Sequence, residues 1–329
     1  QMITSRTPYR ISFFGGGTDY PEWYLKYGGA VFSSTIDKYC YISAKYSIKL
    51  LETRHKIVWS HIENVQSFND ILHPAVREGL KFLNFDNNKG IEIYHSGDLP
   101  ARTGIGTSSS FSVGLINALS NLNNNPINKH QLALKAIKLE QNILNESVGS
   151  QDQVAASYGG FNKIIFKTDG NIIVNKININ DETENFLLSN ISIYYSGTRI
   201  GRNSSEVVSD MLVDIDSKYE LLKELESYVD IGINLITKKD LTGFGKLLHE
   251  SWKIKKSLGN KITNPEIDEI YNIGIKNGAY GGKILGAGGA GFIMFVIPEE
   301  KKETLRQKLP NCAELSFEFE NQGSIITSN

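Results

Sequence analysis

The residues best suited to chemistry fall in three glycine-rich segments and on one helix that carries an acidic side chain on its apolar face. Gly97-Asp98-Leu99-Pro100-Ala101-Arg102-Thr103-Gly104-Ile105-Gly106-Thr107-Ser108-Ser109-Ser110 lies between a strand pattern and an apolar helix pattern. Gly104 and Gly106 let backbone approach an anion closely, and the helix that follows offers unpaired N–H groups and the positive end of its dipole. Hydroxyls at Ser108, Ser109 and Ser110 can then meet phosphate or magnesium. The Gly-Lys-Ser/Thr ending of a Walker loop is absent, and so is the three-glycine spacing of a dinucleotide fingerprint. A plain helix cap would use the same residue types.

Arg10 leads through Ile11-Ser12-Phe13-Phe14 into Gly15-Gly16-Gly17-Thr18-Asp19-Tyr20, so an apolar strand ends in glycines and a carboxylate. Asp19 can accept two hydroxyl hydrogen bonds from a polyol, and Arg10 can neutralise phosphate charge; a tight turn capped by Asp19 is the alternative. The third segment, Gly281-Gly282-Lys283-Ile284-Leu285-Gly286-Ala287-Gly288-Gly289-Ala290-Gly291, reads either as a ligand loop or as a close crossing of two backbones. Glu140 shares a face with Ala133, Ala136, Ile137, Ile143 and Leu144, and a carboxylate buried there needs a cation or metal; the alternative is a face edge from which it reaches water. Asp152 follows twelve residues later, just before a short helical run it could also cap.

These residues need elements to hold them. Apolar and β-branched patterns predict strands over 3–14, 31–46, 57–60 and 91–95, then helices over 108–121 and 130–145. Asp169-Gly170 predicts a hairpin between 161–166 and 172–177, and a domain change soon after it, giving domains of 2–180 and 181–329. The second half predicts a strand over 191–196, helices over 203–237 and 240–257, and another helix starting at Asn264-Pro265. Strands over 291–297 and 313–320 flank a short helix after Pro298, so the class is α+β.

With 35 basic against 36 acidic residues, the whole-chain charge predicts neither a nucleic-acid surface nor an anionic membrane as partner. Cys40 and Cys312 lack metal-ligand spacing and are expected to be small core residues in a reducing compartment. No apolar run suits a membrane span and no signal-peptide order is seen, so a cytoplasmic location is expected. The six histidines lack metal spacing and read as surface or packing residues, while Tyr46 or Trp59 could form an apolar wall for a base.

In order and spacing, the three glycine segments resemble the signatures of the GHMP kinases, over most of the chain. Pro100 to Ser109 is similar to the family's phosphate loop, with Thr107-Ser108-Ser109 where Ser-Ser-Ala is usual, and Gly286-Ala287-Gly288-Gly289 matches the third signature. The resemblance implies an N-terminal domain like the second domain of ribosomal protein S5, with a left-handed βαβ crossover, and a ferredoxin-like C-terminal domain. It implies ATP bound by Pro100, Arg102, Thr103, Gly104, Ile105, Gly106, Thr107, Ser108, Ser109 and Ser110, and Mg2+ held by Ser108 and Glu140. Asp152 would take or orient the acceptor proton, with Arg10 balancing charge during in-line phosphoryl transfer. Gly16, Gly17, Thr18, Asp19 and Tyr20 would bind the acceptor, together with Gly286 and Gly288.

Phe14 to Tyr20 departs from the galactokinase pattern and, with Leu248 to Lys256, looks like the heptose 7-phosphate kinase branch. That branch implies phosphorylation of an anomeric hydroxyl, feeding nucleotide-activated heptose. A phosphorylated acceptor needs a cationic pocket, for which Arg199, Arg202, Lys253 and Lys283 are the candidates. An unphosphorylated sugar such as fucose, or a catalytically silent sensor on the same fold, are the competing expectations. The implied partners are sugar phosphate and ATP, on a monomer or homodimer.

Overall fold

The computed structural model describes residues 1–50, 53–101, 103–197 and 204–327. Two long β-rich stretches, β1 (Ile3–Phe14) and β2 (Gly29–Tyr46), pair antiparallel and form the spine of the first sheet. Their register shifts between Pro8 and Arg10, where proline offers no N–H to the ladder, and again between Ser12 and Phe14. Further strands are β3 (His55–Val58), β4 (Ile62–Val65), β5 (Ile91–Gly97), β6 (Phe161–Phe166) and β7 (Ile172–Lys176). β2 is long enough to pair with β5 through its C-terminal half and β6 through its N-terminal half. β3 lies parallel to β5, and the other pairings are antiparallel among the described residues.

The second sheet contains β8 (Ile191–Tyr195), β9 (Gly281–Ile284), β10 (Phe292–Val296) and β11 (Ala313–Glu314). Its spatial order is β11-β8-β10-β9 and all its pairings are antiparallel, which is the ferredoxin-like arrangement expected from the resemblance. β12 (Ile325–Ile326) returns to pair with β1.

Helices α1 (Pro21–Tyr27), α2 (Pro74–Phe82), α3 (Thr107–Leu122), α4 (Lys129–Lys138) and α5 (Gln151–Tyr158) belong to the first half, and α6 (Asp181–Ser189) opens the second. α7 (Ser204–Leu212), α8 (Tyr219–Thr237), α9 (Leu241–Ser257), α10 (Pro265–Lys276) and α11 (Lys302–Lys308) follow. α3 is buried along almost its whole length because Ser112, Gly114 and Ala118 let it lie close on β1 and β2. Phe13 and Phe14 meet Phe244 of α9 edge-on, and Val229 of α8 joins the same core, so apolar packing ties the halves together beside the end of β1.

Several expectations are corrected. The predicted helix over 203–237 breaks into α7 and α8 around Asp214, whose φ of 52° lies in the left-handed region. Only Ala313–Glu314 of the predicted 313–320 strand joins the second sheet. The rest runs along the first sheet, where Phe317 and Phe319 pack on the core and Glu318 O accepts from Asp37 N at 2.9 Å. The predicted strand over 57–60 is β3, shifted two residues earlier, whereas β4, α2 and α6 were not predicted, because each is too short to carry a distinct period. Cys40 is buried as expected, whereas Cys312 is partly exposed. Among the described residues no helix is long and apolar enough to cross a membrane.

Candidate active site

A cleft of about 1010 Å³ opens where the end of β1, the start of α3 and α5, and the loops around β9 converge. At its floor Arg10 Nε donates to Asp152 Oδ1 at 2.6 Å. Arg10 is only 4% exposed, while Asp152 is 26% exposed and faces the cleft from the first turn of α5. Arg10 also donates from Nη1 to Gly104 O at 3.1 Å and from its backbone N to Ile105 O at 3.0 Å, so β1 clamps the first glycine loop. α3 begins at Gly106 in a left-handed conformation with no side-chain cap at its N-cap, so the positive end of its dipole meets the cleft, where Gly106 to Ser109 line the wall.

The glycine density of the third loop has a steric cause. A Cβ on Gly104 would lie 1.9 Å from Leu285 O, and one on Gly286 would lie 2.6 Å from Gly104 O. The two loops therefore cross backbone to backbone, as the second reading expected, and Gly286, Ala287, Gly288 and Gly289 also line the cleft. The segment 281–284, read as loop, is β9.

Asp19 sits beside this floor, 3% exposed, with Oδ1 accepting from Gly17 N at 3.1 Å. Burial pushes its carboxyl up, Asp152 adds to the rise, and Lys255 opposes it. Two lysines face the same space. Burial pulls the Lys283 ammonium down to about 7, helped by Lys255 and Arg10, and burial also lowers Lys255. Lys255 was missed, although it shares one helical face with Leu248, Ser251 and Trp252, so its spacing carried the signal. Lys253 was preferred and is corrected: it is 52% exposed on the outside of α9, paired with Glu250 at 2.9 Å. Arg102, Arg199 and Arg202 lie outside the described residues.

Gly149 packs directly on Asp19, since a Cβ there would lie 2.0 Å from Asp19 Oδ2. Gly149→Ala should therefore displace that carboxylate, raising the acceptor KM about tenfold and destabilising the fold by about 1–3 kcal/mol. Two-substrate kinetics and thermal unfolding check it; an unchanged acceptor KM would separate Asp19 from acceptor binding.

The acidic end of the cleft begins where α4 passes into a π-helical turn at Leu139–Ile143. Glu140, in that turn, is fully buried rather than at a face edge. Its Oε1 accepts from Gln153 Nε2 at 3.1 Å, while Oε2 has no hydrogen-bond partner. Asn145 takes a positive φ and the chain doubles back, so that Glu146 N donates to Glu140 O at 2.9 Å. Burial pushes the Glu140 carboxyl up, with the charge of Glu146 adding, whereas the Ser109 hydroxyl favours the ionised form. A buried carboxyl oxygen without a partner is costly, and a cation would both satisfy it and favour the ionised form that burial disfavours, so these residues fit Mg2+. Among the described residues no three His, Cys, Asp or Glu side chains could hold a metal, so phosphate oxygens would have to complete its shell. Of the predicted metal pair, Glu140 is buried and Ser108 is exposed at the loop on the cleft, while the hydroxyl of the neighbouring Ser109 is the one that meets Glu140.

Aromatic side chains form the opposite end. Trp59, His73, His95 and Phe111 line the cleft, with His73 stacked on Phe111 at 4.5 Å and edge-on to Trp59 at 4.7 Å. Of the two side chains expected to offer a base wall, Trp59 lines the cleft, whereas Tyr46 packs on Phe85 under Lys89 and does not. His73 and His95 pack on aromatic rings as the sequence reading expected, His73 on Phe111 and Trp59 and His95 edge-on to Phe111, and both also line the cleft.

Several predicted ligands support the loop instead of facing the cleft. Thr103 Oγ1 donates to Pro100 O, Ile105 is fully buried, and Ser110 Oγ donates to Pro8 O at 2.8 Å. Thr18 Oγ1 donates to Gly15 O at 2.8 Å and accepts from Ala30 N at 3.1 Å, fixing the turn that carries Asp19. Gly16, Gly17, Asp19, Tyr20, Gly104, Gly106, Thr107, Ser108 and Ser109 do line the cleft. Gln151, which the sequence reading passed over, joins them.

Residues 71–160 match the GHMP kinases N terminal domain and residues 233–314 match the GHMP kinases C terminal domain, together more than half of the chain. A D-glycero-alpha-D-manno-heptose 7-phosphate kinase from Campylobacter jejuni is 28% identical over 322 residues, covering 94% of this chain and 93% of the relative. A mevalonate kinase from Methanocaldococcus jannaschii is 28% identical and covers 75% of each chain. The crystal structure of a D-glycero-D-manno-heptose 1-phosphate kinase from Bacteroides thetaiotaomicron superposes with a TM-score of 0.81 at 23% identity, covering 99% of both chains. With both domains present in order around one cleft, the chain belongs to the GHMP kinase family.

Proposed function

We propose that this protein transfers the γ-phosphoryl group of ATP to the anomeric hydroxyl of a sugar phosphate, with D-glycero-D-manno-heptose 7-phosphate as the acceptor. The observation that carries the reading is the convergence of the Arg10–Asp152 pair, Asp19, Lys255 and Lys283 beside the open N-terminus of α3. Phosphates of ATP would rest on the N–H groups of Gly106 to Ser109, and the base would lie against Trp59 and His73. Bound Mg2+, held by Glu140 and the loop serines, would neutralise charge on the phosphates.

Asp19 would orient the sugar hydroxyls and Asp152 would accept the proton of the attacking hydroxyl, held in line by Arg10 Nε. Three cations against two carboxylates leave local positive charge for a second phosphate on the acceptor, the task assigned to Lys255 and Lys283. The likeness to the Campylobacter jejuni relative supports the same acceptor.

A coupled ADP-release assay with Mg2+ and ATP tests this, comparing heptose 7-phosphate, mannose, fucose, galactose and mevalonate. Turnover confined to the heptose phosphate is expected. Equal turnover with fucose would sink the role of the lysines, and no turnover with any acceptor despite ADP binding would sink the assignment.

A further inference from the structure

We infer that Glu63 is the positioning residue of the nucleotide-base wall: it touches no ligand itself and fixes two rings, Trp59 and His73, that line one end of the cleft. The inference rests on the reading that the aromatic end of the cleft takes the base. Glu63, on β4, is 6% exposed and is not part of the cleft surface. Its Oε2 accepts from Trp59 Nε1 at 2.9 Å and from His73 N at 3.3 Å, and its Oε1 accepts from Leu72 N at 2.5 Å. No ion pair to Glu63 is present among the described residues, so these N–H donors carry the stabilisation that makes a buried carboxylate tolerable.

The donors come from two separate stretches. Trp59 follows β3, whereas Leu72 and His73 immediately precede α2, and one carboxylate joins them. The rings of Trp59 and His73 consequently stand at 84° to one another with centroids 4.7 Å apart. Two further contacts hold His73. Its ring stacks on Phe111 at 4.5 Å, and its Nδ1 accepts from Val76 N at 3.4 Å as the cap of α2. A neutral imidazole that accepts at Nδ1 carries its proton on Nε2, so the ring presents a fixed donor edge and an apolar face. A fixed donor edge beside an exposed aromatic surface suits a purine laid against these rings. Without Glu63 the indole N–H and two backbone N–H groups would lose their shared acceptor, and both rings would gain freedom that a bound base must remove.

The test uses the full-length enzyme with ADP and inorganic tripolyphosphate as probes, the second occupying the phosphate loop but not the base slot. Glu63→Gln should raise the ADP Kd and the ATP KM about tenfold, with kcat, acceptor KM and tripolyphosphate affinity within about twofold. Glu63→Asp, which keeps the charge but shortens the reach, should show the same split more weakly. An unchanged ADP Kd in Glu63→Gln, while Trp59→Ala weakens ADP, would overturn the inference and leave the base slot standing. Equal losses for ADP and tripolyphosphate in both Glu63 variants would also overturn it, by making Glu63 a support of the whole fold. If Trp59→Ala and His73→Ala both leave ADP affinity unchanged, the base-slot reading fails and this inference with it.

Discussion

Asp152→Asn should lower kcat about 10³-fold while leaving the ATP KM within about threefold. The amide preserves the shape of the side chain and can still accept from Arg10 Nε, so the floor of the cleft should remain in place. What it removes is a carboxylate that both faces the cleft and abuts the first glycine loop, where a Gly106 Cβ would lie 3.4 Å from Asp152 Cγ. The variant also leaves the 4%-exposed Arg10 charge without its ionic partner, which should lower stability modestly. Steady-state kinetics with both substrates varied, together with ADP calorimetry, separates these effects. A loss of less than about tenfold in kcat would reduce Asp152 to an orienting contact, with catalysis left to alignment and electrostatics.

Lys283→Met should raise the KM for a phosphorylated acceptor about 100-fold, because a partly desolvated ammonium facing a phosphate makes one of the stronger polar contacts available. The pH dependence sharpens the test. With its ammonium lowered to about 7, Lys283 is increasingly neutral above that pH in the free enzyme, so binding a phosphate requires proton uptake. Acceptor affinity should fall as pH rises past about 7, and that slope should disappear in the methionine variant.

Stability should move the other way. The folded state holds this proton less tightly than the unfolded chain, so Lys283 lets stability rise with pH from about 7 towards the ordinary lysine range. Opposite slopes in binding and unfolding, both removed by one substitution, would be hard to produce from any other group. If the acceptor KM is unchanged in Lys283→Met, the anion site lies elsewhere.

The phosphate loop, the third glycine loop, Asp19, Asp152 and the inward placement of Glu140 were all legible in the chain, for local reasons. Glycine where backbone must pass backbone, and a carboxylate at apolar helical spacing, are properties of a few consecutive residues. The selection between neighbours was not legible. Ser108 and Ser109 are adjacent and alike, and only the course of the π-helical turn at Leu139–Ile143 sets the second against Glu140. Lys253 and Lys255 differ by two positions, and the packing of α9 on β9 turns one out to solvent and the other into the cleft.

The residue types, their order and the class of chemistry they permit are therefore written in the linear sequence. The charge balance of the site is not. Arg10 and Asp152 lie 142 positions apart, and Asp19 comes from the turn after β1, Lys255 from α9 and Lys283 from β9. Pairing at such separation depends on loop closure and on the shared apolar core around Phe13, Phe14 and Phe244. Burial then shifts each ionisable group by removing water that the unfolded chain retains, and only the folded cleft can do that.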